Sequence, residues 1–292
     1  MCHRCLVNAQ APRNIPPAVE VIDIVDPADP RVDDFRDLKS VDRRPDVLTL
    51  PGGQGGRGLV IGEGVLVVQR MIASRFAPHA FFGVDRRLRE LAADLTAPSV
   101  AAVPFYRASA EVMAEVIGFH LNRGVVAAAH RPAEQTVPEL LDGARTVVVL
   151  EGVNDHENIG SIFRNAAGLG VDAVIFGAGC ADPLYRRCVR VSMGHALLVP
   201  FAKAESWPSE VDLLRAQGFT TVALSPGAGS VPLAGAVTGG KVAFLVGAEG
   251  PGLTAETMAR CDVRARIPMS RGTDSLNVAT AAALAFYERA RV

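Results

Sequence analysis

The sequence has no apolar run long enough to cross a membrane. Stretches such as 146–150 and 242–246 are bounded by glycine or charge and fall well short of the ~18 residues a spanning helix needs. The opening Met1-Cys2-His3-Arg4-Cys5 lacks the apolar centre of a signal peptide, so a cytoplasmic protein is expected. An excess of one charge is missing too. Thirty basic residues face 31 acidic ones, for a net charge of −1, which argues against a protein that coats nucleic acid without selectivity. A local basic surface remains open. Lysine occurs only at positions 39, 203 and 241, so nearly all cations are arginines; their planar forks suit phosphate, although genomic base composition produces the same bias. The five cysteines, at 2, 5, 180, 188 and 261, are an odd set without disulfide spacing and fit reduced thiols. Cys2-His3-Arg4-Cys5 has the gap of half a zinc site, but no second pair follows at a suitable distance. A terminal tail is the better reading, and no metal is expected. Internal repeats and low-complexity tracts are absent.

What is present is apolar and alternating. A chain of 292 residues, 49% hydrophobic, can fill two domains or one large α/β domain. Residues 1–19 show no period and read as a loose leader. Strand-like 21–25 and helix-like 33–38 precede Pro51-Gly52-Gly53-Gln54-Gly55-Gly56-Arg57-Gly58. That glycine-rich stretch reads as a surface loop, because a phosphate-cradling loop needs a strand before it and a helix directly after. Beyond it come a helix with Val65, Val68, Gln69, Met71 and Ile72 on its stripe, a strand at 79–84 and a helix at 88–95. Strands at 101–105 and 125–129 then flank a helix at 110–117. Residues 20–130 form one β/α unit on this reading. Segment 131–143, with two prolines and few apolar residues, is the expected linker. From 144 to 292 strands (146–150, 173–176, 197–200, 220–224, 242–246, 263–267) alternate with helices (159–169, 183–192, 208–216, 255–260, 276–289). Such alternation implies a parallel sheet covered on both faces.

Three segments of the second half carry chemistry. In Asn154-Asp155-His156-Glu157-Asn158-Ile159-Gly160-Ser161-Ile162-Phe163-Arg164-Asn165-Ala166 the polar residues are good helix caps, and Ile159, Ile162, Phe163 and Ala166 make a buried stripe. Arg164 is offset from that stripe and is read as close to the positive helix end, where a cation gains nothing. In Leu245-Val246-Gly247-Ala248-Glu249-Gly250-Pro251-Gly252-Leu253 an apolar strand runs into glycines whose amides can face a ligand. Its spacing is not the dinucleotide fingerprint, which leaves a Rossmann-type nucleotide enzyme poorly supported. Glu249 is either a cap for the following helix or a site residue. Arg266-Ile267-Pro268-Met269 ends a strand, and Ser275-Leu276-Asn277-Val278 opens a helix with alanines at 279, 281, 282, 283 and 285. Ser275 reads equally as an N-cap or a catalytic group.

In order and spacing, these segments resemble the three signature motifs of the SpoU (TrmH-type) branch of the SPOUT RNA methyltransferases, over residues 145–290. The resemblance implies an α/β fold whose C-terminal SPOUT domain has a parallel sheet and a deep trefoil knot, an exception to the rule against threading. It implies S-adenosylmethionine as cofactor, contacted at Gly247, Ile267 and Leu276 with Val246, Pro268 and Met269 as neighbours, and a homodimer built on the knot helices. It implies methylation of a ribose 2′-hydroxyl in rRNA or tRNA, with Arg164 as the main catalytic residue and Asn158, Glu249, Ser275 and Asn277 orienting it and the substrate. The alternative is an RNA-binding or ribosome-assembly factor that kept the fold and lost turnover. Asp155-His156-Glu157 departs from the family, where proline or lysine is common, and that bears on target choice. The N-terminal unit is more loosely similar to a substrate-binding domain of the ribosomal kink-turn-binding type, through Glu63-Gly64 and His120-Leu121-Asn122-Arg123-Gly124. There Arg70, Arg75, Arg86, Arg87 and Arg123 are either RNA contacts or solvated charges, and His120 either an RNA contact or a structural histidine.

Overall fold

A computed structural model describes residues 19–39, 58–227, 229–237 and 239–292. The expected leader, the paired N-terminal cysteines and most of the glycine-rich stretch (51–57) lie outside the described residues. The chain divides into two compact units, residues 1–131 and 132–292. No helix among the described residues is long and apolar enough to cross a membrane.

The first unit holds β1 (Val21–Asp23), β2 (Leu59–Glu63), α1 (Val65–Ile72), β3 (Ala80–Gly83), α2 (Asp85–Leu91), β4 (Phe105–Arg107), α3 (Ala110–Ile117) and β5 (Val125–His130). Its sheet has the order β1-β4-β3-β5-β2; β1 and β3 run parallel to β4, whereas β5 is antiparallel to β3 and β2. The apolar stripe of α1 buries Val67, Val68, Met71 and Ile72, so Val67 takes the place expected for Val65. Ser109 caps α3 by accepting the Val112 amide, and Gly118 ends it in the left-handed region at φ 84°. The expected strand 101–105 instead spans Phe105–Arg107. Pro104 has no amide to donate, so pairing starts with its carbonyl, which accepts from the Phe81 amide at 3.1 Å.

The second unit begins where a linker was expected. Residues 137–141 form α4 (Val137–Leu141), and Val137, Leu140 and Leu141 are buried in its core. Then follow β6 (Thr146–Glu151), α5 (His156–Gly168), β7 (Ala173–Phe176), α6 (Arg186–Val191), β8 (Phe201–Lys203), α7 (Glu210–Ala216), β9 (Phe219–Leu224), β10 (Val231–Pro232), α8 (Leu233–Ala236), β11 (Lys241–Gly247), α9 (Ala255–Arg260), β12 (Val263–Arg266) and α10 (Val278–Ala290). All seven strands are parallel, in the order β10-β12-β9-β11-β6-β7-β8. The strands β6, β7 and β11 are buried apolar runs, as a sheet covered on both faces requires. The strand expected at 197–200 is displaced: His195–Leu197 makes a single 3₁₀ turn and pairing resumes at Phe201. Proline is again the cause, because the Pro200 carbonyl accepts the Val174 amide at 3.0 Å while its nitrogen has nothing to donate.

Candidate active site at the carboxyl ends of the second sheet

Helix α5 starts at Asp155, whose carboxylate accepts the amides of Glu157 and Asn158 at 2.6 and 3.3 Å. Ile159, Ile162, Phe163 and Ala166 are fully buried, the stripe expected of them. Gly160 lies against α6, where a Cβ would come 2.8 Å from the Cys188 carbonyl. The cap leaves Asn158 facing α10, with only 8% of its surface exposed. Asn158 donates from Nδ2 to Oε1 of Glu249 at 2.9 Å and accepts at Oδ1 from Nδ2 of Asn277 at 2.7 Å; Asn277 also donates to Glu249 Oε1 at 2.9 Å. The three motifs therefore meet in one closed hydrogen-bond triangle.

Asn277 has a second task. Its Oδ1 accepts the amides of Ala279 and Thr280 at 3.0 and 3.1 Å, so Asn277 rather than Ser275 is the N-cap of α10. Glu249 is likewise not a cap: Thr254 starts α9 by accepting the Thr257 amide. Freed from capping, the Glu249 carboxylate is the acceptor that aligns both asparagines.

Beside the triangle opens a cavity of about 500 Å³. Its walls are strand ends and the loops that leave them: Leu224 to Pro226 from β9, Val246 to Gly250 and Gly252 from β11, Ala265 to Ile267 and Met269 from β12, and Asp274 to Val278 with Ala281 at the start of α10. Ligands of open parallel sheets occupy this place, beyond the carboxyl ends of the strands. Of the expected cofactor contacts, Val246, Gly247, Ile267, Met269 and Leu276 line it, and so does Ser275; Pro268 does not, and is exposed. Strand β12 has ended at Arg266, and Pro268 lies in the loop beyond it. Pattern reading missed the contribution of Ser225 and Pro226, although Ser-Pro-Gly punctuation directly after a strand was a turn signal. Arg266 also lines the cavity, and its guanidinium donates to the carbonyl of Ser230, anchoring the return from β9.

Arg164 does not line the cavity. It is exposed, just past the middle of α5 rather than at the helix start, so the dipole argument for its position does not hold. Around the family-divergent tripeptide, His156 packs against the ring of Tyr185 at 4.3 Å and Glu157 accepts from Arg187 Nε at 2.9 Å. These contacts tie the start of α5 to α6.

The sequence profile of the SpoU rRNA Methylase family matches residues 145–287, the span that carries the triangle and the cavity. An uncharacterized tRNA/rRNA methyltransferase of Mycobacterium tuberculosis is 64% identical over 279 residues, 94% of either chain. The chain belongs to the SpoU rRNA methylase family. A 23S rRNA (guanosine-2′-O-)-methyltransferase RlmB of Ralstonia nicotianae is a more distant SpoU relative, 29% identical over 80% of this chain and 95% of its own. The crystal structure of an AdoMet-bound rRNA methyltransferase from Sinorhizobium meliloti shares the fold, with a TM-score of 0.74 at 24% identity, covering 93% of this chain and 98% of the other. The α/β fold with a parallel sheet expected of a SpoU protein is the fold observed.

In the first unit the candidate RNA-binding side chains are dispersed in role. Arg123 is 3.8 Å from the buried carboxylate of Glu63, so it serves the protein's own charge balance. Its aliphatic part also covers Gly64, where a Cβ would come 2.9 Å from Arg123 Cδ. Arg75 covers the Phe76 ring at 4.8 Å, and Arg86 and Arg87 both pair with Glu90. Arg70 is half-buried in the last turn of α1, and His120 is exposed.

Proposed function

We propose that this protein transfers the methyl group of S-adenosylmethionine to a ribose 2′-hydroxyl of ribosomal or transfer RNA. The observation that carries the reading is the closed triangle of Asn158, Glu249 and Asn277 beside a cavity walled by strand-end backbone. Support comes from the relatives, named for 2′-O-methylation of 23S rRNA guanosine in one case and for AdoMet-bound rRNA methyltransferase structure in the other. The cavity fits the donor in size and in chemistry. About 500 Å³ lies within the ~300–1,000 Å³ of small-ligand sites, and the lining combines apolar side chains with main-chain polar groups. Val246, Gly247, Ile267, Met269 and Leu276 would hold it. When bound, S-adenosylmethionine supplies a methyl group on a sulfonium, an electrophile open to in-line attack.

The chain's own residues must do the rest. A ribose 2′-hydroxyl is a weak nucleophile at neutral pH and needs its proton removed and its developing charge stabilised. Arg164, exposed on α5, is placed to pair with an RNA phosphate, which takes up the hydroxyl proton and passes it to water, and to stabilise the alkoxide left behind. Ser275 stands at the cavity wall where the hydroxyl would enter, and the triangle keeps the three motif loops in register. Arg70, Arg75 and His120 of the first unit are the proposed auxiliary RNA contacts. The reading includes a threaded C-terminus, supported by the position of β12 between β10 and β9, and a cytoplasmic homodimer.

Arg164→Ala tests it. Methyl transfer to rRNA or tRNA should fall by roughly 10²-fold or more. Because the side chain lies outside the cavity, S-adenosylmethionine affinity measured by calorimetry should stay within about threefold. Near-normal transfer by a folded Arg164→Ala protein would refute the assignment. Donor binding without transfer to any cellular RNA by the unaltered protein would favour an assembly factor instead.

A further inference from the structure

Outside the triangle, the carboxylate of Glu151 in the second unit accepts four hydrogen bonds. Glu151 ends β6, is only 6% exposed and does not line the cavity. Its Oε1 accepts from the Trp207 indole Nε1 at 2.6 Å, from the Thr257 hydroxyl at 2.7 Å and from the Thr254 hydroxyl at 3.0 Å; its Oε2 accepts the Thr254 amide at 2.8 Å. Every one of these partners is a hydrogen-bond donor. Burial by itself pushes the Glu151 carboxyl up, but the donations from Trp207, Thr254 and Thr257 together outweigh it and hold the group below its ordinary value.

Its place gives these bonds a purpose. In the β6–β11 register Glu151 stands opposite Gly247, where the second cavity loop begins. Thr254, which that carboxylate grips by both amide and hydroxyl, is the N-cap of α9, where the loop ends. Between them lie Gly250 and Gly252 at φ 88° and 71°, residues with much conformational freedom to lose. The loop is closed on itself by a bond from the Gly252 amide to the Ala248 carbonyl at 3.0 Å. Trp207 in turn is seated over Gly177, where a Cβ would come 2.8 Å from its ring.

We propose that Glu151 is the positioning residue of the methyl-donor site: its place in β6 sits in register with Gly247 at the start of loop 247–254, its carboxylate holds Thr254 at the end, and together they fix the backbone that grips the donor. This rests on the reading of the cavity as the S-adenosylmethionine site. Glutamine at 151 keeps the shape but turns an NH₂ group toward hydrogen-bond donors, which loosens the far end of the loop without touching the reacting atoms.

The experiment uses the full chain and its Glu151→Gln and Thr257→Val variants, with S-adenosylmethionine calorimetry, steady-state transfer and amide hydrogen exchange. In Glu151→Gln the donor Kd and KM should rise about tenfold or more, equivalent to about 1.4 kcal/mol. At saturating donor, kcat should stay within about threefold, and the KM for RNA should not move. Thr257→Val should show a smaller rise, with faster exchange across 248–253 in both. A folded Glu151→Gln protein with unchanged donor Kd would overturn the inference, as would a loss of kcat with donor KM intact. Should Glu151→Gln fail to fold, wild-type donor affinity in Thr257→Val would overturn it equally. Failure of the unaltered protein to bind donor would instead overturn the cavity reading, and this inference with it.

Discussion

Gly247 shows how little freedom one position of this site has. A Cβ there would overlap the Gly252 carbonyl and the Leu253 amide, both backbone, so no rotamer change can make room. The strand end and the returning loop touch main chain to main chain, which is what brings loop amides to the cavity wall. Gly247→Ala should therefore push the loop away from β11. We expect donor affinity to fall by about tenfold or more, and unfolding free energy to drop by about 1–3 kcal/mol as for an overpacked core. Calorimetry with S-adenosylmethionine alongside chemical denaturation checks both, and an unaltered donor Kd would count against this role. Neighbouring glycines differ: nothing lies within 4 Å of a Cβ at Gly250 or Gly252, and their positive φ is what excludes side chains. Three cysteines lie among the described residues, Cys180, Cys188 and Cys261. Burial raises the Cys180 and Cys188 thiols, and burial with the adjacent Asp262 pushes Cys261 up to about 12, so at neutral pH they stay protonated.

Among the elements, α4 was the hardest to see from sequence and is among the best capped. Thr136 Oγ1 accepts the Glu139 amide at 3.4 Å, and Glu139 Oε2 accepts the Thr136 amide at 2.8 Å, a capping box with Pro138 in the first turn. The signature Thr-x-x-Glu stood in the sequence, but its two prolines and short apolar content masked it as a linker. Thr136→Ala should remove about 1 kcal/mol of stability, read as a lowered denaturation midpoint with an unchanged slope, and a midpoint within error of the parent would contradict the cap. The misplaced strands share another physical cause. At Pro104 and Pro200 the apolar pattern continues through a residue that cannot donate to a ladder, so each strand begins only at the residue after the proline, 105 and 201, four positions later than hydrophobicity alone suggests. Where the pattern had no such conflict, as in β7 and α9, residues and elements agree, whereas α5 starts at His156, three residues before the expected 159.

For the whole molecule, the legible part of the site was the chemistry carried by short motifs, and the illegible part was distance. Asn158 and Asn277 are 119 positions apart, and only the packing of α10 on α5 brings their amides to 2.7 Å. Which of Ser275, Asn277 and Glu249 caps and which aligns is a matter of that packing, so pattern alone left it open. Packing also leaves one side of α10 without a cover. Val278, Ala279, Ala282, Ala285 and Phe286 are buried, yet Leu284 and Tyr287, on the opposite side, are 39% and 55% exposed. A helix apolar on both sides belongs between two packed surfaces, and a second copy of the chain supplies the missing one in the proposed homodimer. Sedimentation velocity should then give twice the 30.7 kDa chain mass for the parent protein. Tyr287→Glu places a charge in the contact and should shift the boundary toward monomer while leaving the far-ultraviolet spectrum unchanged. The same variant should lose methyl transfer in step with dimer fraction as concentration is lowered. A parent chain that sediments as a fully active monomer would remove the dimer from the proposal, and the outward apolar side of α10 would then need a different occupant.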